Sequence, residues 1–390
     1  MAMSANRPAA PKAGRLDWLE PTKGLAIFMV VAYHATLYLP TANVDTLLGR
    51  GKVLLELFPM PAFFLIAGMF ATRHAQTSLS ALWRRRLLPL LYLYVVWSVV
   101  RTVFYLLLPG LNGGLGGLPA DDPLTLPLIL VWPTSSYWFL HALFLFTLFR
   151  WLIARFPVWV QLGGSALLAT AFTSGLVDAH NVGWNRVGGL FFFFVLGAVY
   201  SRQIRDLVAR ARLVHLFLAT AVVGATTLLI VLGLRWVPFL ALAGQVAAVA
   251  GGIVLCTYLL RLPGFGFLNA MGRASLKIYL LHLFVIVAAT GLIGLLDPDW
   301  PRWVDVLVQL GLSVATVFAC FGLARLTSRV RWLWAPPSFL RGSSRSAARS
   351  KPQPAVPGAA EPGEAEAGLA APRDTTAAEA TTPPTEKRTP

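Results

Sequence analysis

His34 stands eleven residues after Lys23 in KGLAIFMVVAYHATLYLP, a run that is otherwise almost wholly apolar. If the run is helical, those residues at about 100° each bring the imidazole back to within about 20° of the lysine's face, about 16 Å further along the axis. With Lys23 at the cytoplasmic boundary, His34 sits near mid-membrane on the same side of the helix. A polar ring at that depth is expensive unless it faces protein or water, which makes it a functional candidate. Imidazole also suits proton transfer near neutral pH, because one ring nitrogen can act as base while a neighbour holds the other. The competing reading is an interhelical hydrogen bond that only helps the bundle pack. Both readings apply equally to His141 and His282, each of which lies inside another apolar run.

Two further sets of polar residues stand out. Glu56 and Arg101 fall within the second and third apolar runs, and a short antiparallel connection would let them form an ion pair, since a buried charge usually needs a partner. Arg84, Arg85 and Arg86 precede the third run. They would either hold a phosphate-rich ligand through charge-assisted contacts or anchor the chain at lipid headgroups. The run Phe191 to Phe194 reads as a lipid-facing or packed core feature. Cys256 and Cys320 lie inside apolar spans and read as small hydrophobes, and no Cys/His spacing of the metal-binding type occurs.

The elements that would position these residues follow from composition. A chain of 390 residues with 56% hydrophobic and 13% charged residues is outside the soluble globular range. Net charge is +16, and the tail from Arg341 to Pro390 holds seven Lys or Arg against six Asp or Glu, so +15 belongs to the apolar portion. There the basic residues form short clusters between apolar runs, which fits topology signals and leaves no surface for nucleic acid. The first apolar run follows a lead-in of about twenty residues with polar and charged groups and is not followed by a small-residue cleavage pattern, so it is expected to remain as an anchor.

Ten spans are expected, at about 22–39, 52–72, 87–108, 136–154, 158–176, 184–200, 214–233, 237–260, 275–296 and 303–326. Pro59 and Pro61 should kink the second beside Glu56. The stretch Leu124 to Val131 is too short to span and reads as interfacial or re-entrant, and the Gly-rich segment before it reads as a surface loop. Arg73, Arg84 to Arg86, Arg150, Arg155, Arg202, Arg205, Arg210 and Arg212 lie on one side, with Asp45, Asp121, Asp122, Asp178 and Asp299 on the other. Both termini are therefore expected in the cytoplasm. The expected organisation is an all-α polytopic bundle of about ten transmembrane helices over 15–335, between a disordered segment 1–14 and a disordered tail 341–390.

Several landmarks then line up with a known family. The chain resembles the acyltransferase-3 family of bacterial inner-membrane proteins through RLDWLEPTKGLAIFMVVAYH, FPMPAFFLIAGMFA, RRRLLPLLYLYVVWS, YWFLHALFLF, FFFFVLGAVYSR and SLKIYLLHLF, which together extend from about Arg15 to Leu326. The resemblance implies a ten-helix enzyme that moves acyl groups, mostly acetyl or succinyl, onto sugars of surface or secreted glycans. The family's first-helix signature is a basic residue, ten intervening residues and a histidine, which Lys23 and His34 match. It implies that His34 is catalytic, as base or as acyl carrier, and that Lys23 helps place the donor. The chain departs from the family's Arg-x-x-Arg pattern: Arg84, Arg85 and Arg86 are adjacent, and Leu87, Leu88 and Pro89 follow three positions on.

The implied partners are acyl-CoA as donor substrate, a sugar or glycan acceptor and membrane lipids, with no tightly bound cofactor and no metal. Lys23 and the arginine cluster would meet the donor's phosphates from the cytoplasmic side. Glu56, Arg101, His141 and Arg186 would line an acceptor cleft on the outer side, and His282 would contribute to the pore. The alternatives from other classes are a transporter or flippase for a polar solute, and a structural subunit of an envelope complex.

Overall fold

Helix α1 (Leu19–Tyr38) carries Pro21 in its first turn, where the missing N–H leaves no hydrogen bond unmade. It gives way to a 3₁₀ turn at Leu39–Ala42 that opens on Pro40 and is capped by Asn43 in the left-handed region, φ 57°. In the computed structural model, residues 17–46, 52–73, 76–108, 121–133, 137–296 and 298–341 are described, all of them within one compact unit. The disorder expected for 1–14 and beyond 341 falls outside the described residues, as does 109–120 of the surface loop expected over 108–123.

Among the described residues the fold is helical throughout, without a strand. The second apolar run is broken, as its prolines require, into α2 (Lys52–Leu57) and α3 (Pro59–Met69). A short α4 (Leu79–Leu82) leads into a π-helical turn, Trp83–Leu87, that carries the three arginines, and α5 (Leu88–Leu107) continues from it. Then come α6 (Trp138–Ile153), α7 (Val158–Thr173), α8 (Val182–Ala209), α9 (Leu213–Val231) and α10 (Leu240–Leu259). The chain finishes with α11 (Phe267–Arg273), α12 (Ser275–Gly294), α13 (Arg302–Leu326) and α14 (Ser338–Arg341). Helix α8 outruns its expected end and changes direction there, at Tyr200, whose φ −105°, ψ 23° is non-helical.

Seven of the described helical segments are long and apolar enough to cross a membrane, and three shorter apolar ones, Leu55–Met69, Trp138–Ile153 and Val158–Thr173, stand where further spans were expected. The protein is an integral membrane protein. Helix α1 is central, packed on α3, α11, α12 and α13. Close approach at Gly24 and Gly272 seats α1 on α11: a Cβ on Gly24 would overlap the Leu268 carbonyl, and one on Gly272 the Glu20 carbonyl. Phe191, Phe193 and Phe194 are buried, and Phe146 packs on Phe64, Phe191 and Phe194 with ring centroids 4.7, 5.1 and 5.8 Å away. The aromatic run is therefore core.

Leu124 to Val131 forms two 3₁₀ turns, Pro123–Thr125 and Leu128–Leu130, that tuck against the bundle. Tyr94 Oη donates to the Ile129 carbonyl (2.6 Å) and Trp184 Nε1 to that of Val131 (2.9 Å). After α13 the chain folds back on α5, where Tyr92 and Trp97 donate to the carbonyls of Trp332 (2.9 Å) and Leu333 (2.8 Å).

Candidate functional site

α1 and α12 bring His34 and His282 together, 248 residues apart in the chain: His34 Nδ1 lies 3.3 Å from His282 Nε2, and the ring centroids are 4.8 Å apart. The carbonyls around the rings fix the tautomers. His282 Nδ1 is 2.7 Å from the Tyr279 carbonyl and 3.2 Å from that of Ile278, and since carbonyls only accept, this nitrogen carries the hydrogen. His34 Nδ1 lies 2.8 Å from the Val30 carbonyl and carries its hydrogen by the same reasoning. With both rings neutral, His34 Nδ1–H is shared between Val30 and the lone pair of His282 Nε2. His34 Nε2 is left with its own lone pair and no hydrogen-bond partner among the described residues. His282 is 1% exposed, whereas His34 is only half-buried, so His34 is the open member of the pair.

Beside this pair lies a polar cluster built from three helices. Tyr33, whose ring meets His34 edge-on at 5.4 Å, donates through its hydroxyl to Glu56 Oε1 (3.0 Å). Arg186 Nη2 lies 3.7 Å from the same carboxylate oxygen, and its guanidinium rests on the Trp138 ring, 5.4 Å from the centroid. Glu56 Oε2 has no hydrogen-bond partner among the described residues. The cluster thus offers one hydrogen-bond acceptor and several donors next to the imidazole.

The expected pairing of Glu56 with Arg101 is corrected: Glu56 takes Arg186 and Tyr33, and Arg101 lies over the Tyr105 ring at 5.2 Å. The reason is placement: α2 packs on α1, α3 and α10, and α5, which carries Arg101, is not among the helices it packs on. His141 is tied to the inserted segment, with Nε2 3.0 Å from the Leu130 carbonyl, and is flanked by the Tyr94 and Trp184 rings. It sits in a different cluster from His34.

Lys23 is bound to Glu20 Oε1 at 2.8 Å, which partly offsets its charge, and its side chain remains 22% exposed. Arg84, Arg85 and Arg86 are exposed around the π-helical turn and form no ion pair among the described residues. Sequence reasoning missed Tyr33 and Trp138. Their signals were modest: Tyr33 adjoins His34, and Trp138 opens the helix that carries His141.

These features define a polytopic helical membrane protein with a base-competent imidazole in its interior and a free cationic cluster at the start of α5. Residues 16–325 match the family described as Acyltransferase domain, and the chain belongs to this family, acyltransferase-3; it is an acyltransferase. No curated protein and no solved structure matches. Membership selects the enzyme among the three classes that composition and polar residues had left open.

Proposed function

We propose that the protein moves an acyl group, acetyl or similar, from cytoplasmic acyl-CoA to a hydroxyl of a sugar or glycan at the outer face of a bacterial cytoplasmic membrane. In this reading residues 15–335 form the membrane domain, with both termini in the cytoplasm. Its ten spans are the seven long helices and the three shorter ones. At 16 residues each, α6 and α7 fall just short of the roughly 17–25 residues a span uses, a mismatch that local thinning accommodates.

The observation that carries the mechanism is the held Nδ1 and open Nε2 of His34. Nε2 removes the proton of the acceptor hydroxyl as its oxygen attacks the thioester carbonyl. The C–S bond then breaks, and the CoA thiolate leaves with that proton, which regenerates the neutral ring. While His34 is cationic, its Nδ1–H bond to His282 Nε2 shortens and shares the charge. His282 is a positioning residue here and acts through His34. Lys23 and the arginine cluster answer the donor's phosphates. Glu56 and Arg186 fit an acceptor rich in hydroxyls, because a carboxylate receives and a guanidinium donates hydrogen bonds.

The test is thiol release from acyl-CoA by the purified full chain in nanodiscs, which should require a sugar acceptor. Arg85→Ala and Arg86→Ala should raise the KM for acyl-CoA more than they lower kcat. A correctly inserted protein that binds no acyl-CoA would overturn the donor assignment. For the acceptor side, Glu56→Gln should raise the acceptor KM by about tenfold or more, the value of a hydrogen bond to a charged group, with the donor KM unchanged. An effect on the donor alone would place Glu56 elsewhere in the reaction.

A further inference from the structure

Arg150, in the last turn of α6, is 8% exposed, and its Nε and Nη1 are buried with no hydrogen-bond partner among the described residues. Leaving a charged donor buried and unsatisfied is among the costlier defects a fold can carry, so an occupant is implied. The negative end of the α6 dipole favours a cation at this position but supplies no oxygen to these N–H groups.

The residue's surroundings say which occupant fits. Phe139, Ala142, Phe146 and Arg150 recur at helical spacing and are all buried, so Arg150 shares the face on which Phe146 meets Phe64, Phe191 and Phe194, one turn further on. The C-terminal end of α6 docks on the segment before α5: Trp151 Nε1 donates to the Thr77 carbonyl (2.9 Å), and the Trp83 ring meets that of Phe144 at 6.3 Å. That segment holds the exposed Arg84, Arg85 and Arg86. No Asp or Glu occurs between Gln76 and Leu107 or between Tyr137 and Thr173, so these two elements bring cations and no carboxylate.

We propose that Arg150 is the buried end of a phosphate-binding site at the C-terminal end of α6, next to the segment that carries Arg84 to Arg86. A planar guanidinium presents its N–H groups as forks, Nε with Nη2 and Nη1 with Nη2, and either fork matches two oxygens of a phosphate. Two molecules at a membrane surface carry that group, the nucleotide head of the donor and a phospholipid headgroup. The first source rests on the acyl-CoA reading above; the second does not.

Binding of CoA and of dephospho-CoA to the full chain in nanodiscs, with native mass spectrometry of lipid retained in detergent, separates them. If the donor is the source, Arg150→Met weakens CoA binding on the order of thirtyfold or more, and Arg150→Lys restores part of the loss. If a lipid is the source, CoA affinity holds and the retained anionic phospholipid falls in Arg150→Met. Should the Met variant not fold, Arg150→Lys is read on the same two scales, together with the thermal shift of the unaltered chain in inorganic phosphate against chloride at equal ionic strength. An unaltered chain that binds no CoA but loses lipid on substitution refutes the donor reading and keeps the site. Unchanged CoA affinity and unchanged lipid retention, with no phosphate-specific thermal shift, overturn it.

Discussion

His34→Ala is expected to lower turnover by about 10²- to 10⁴-fold, the usual contribution of a positioned general base, while the KM values for donor and acceptor move little. The argument is local. His34 Nδ1 is already committed to Val30 and His282, so the ring has one free nitrogen, and that nitrogen is the one left open. Removing it takes away an interaction made as the hydroxyl proton leaves, and kcat and kcat/KM fall together. Steady-state thiol release by protein of matched thermal stability measures this. Retained turnover in His34→Ala would move the base elsewhere. A KM rise with unchanged kcat would make His34 a binding residue. A covalent acyl group on His34, trapped by rapid quenching of the unaltered enzyme, would replace the base mechanism with acyl transfer through the ring.

Much of the frame could be read from residue patterns because the membrane imposes few options: apolar runs must be helical, and loop charge separates the two sides. Pro59 and Pro61 broke the second run where expected, and the inserted segment Leu124–Val131 was recognisable as too short to span. The pairings were harder to read. His34 and His282 each looked suggestive alone, but nothing in a one-dimensional pattern says that α1 and α12 are neighbours, because helix adjacency is set by packing of small residues and ridges. Glu56 was matched with Arg101 on the assumption that consecutive runs adjoin, whereas α2 sits against α1, α3 and α10 and its carboxylate meets Arg186 from α8. Short amphipathic α11 was missed because seven residues give too little periodicity to register.

Gly197→Val is expected to abolish folded protein or to destabilise it by more than about 3 kcal/mol, the upper end of ordinary overpacking, because the clash is with backbone. A Cβ on Gly197 would overlap the Leu65 carbonyl, and one on Gly68 the Phe194 carbonyl, so the two glycines let α3 and α8 cross in backbone contact. The register of that crossing reaches the site. Twelve residues separate Glu56 from Gly68 and eleven separate Arg186 from Gly197, so nearly equal lengths of chain running the same way join the glycine contact to the Glu56–Arg186 contact. Forcing the helices apart at the glycines would therefore tilt Arg186 away from Glu56. Gly68→Ala, if it folds, should raise the acceptor KM without touching His34. Gly163→Val on α7 is the control, since nothing lies within 4 Å of a Cβ there. Thermal melts of the detergent-purified chains compare them. A Gly197→Val protein as stable as Gly163→Val would refute the crossing, and with it the account of how Glu56 and Arg186 are held beside the imidazole.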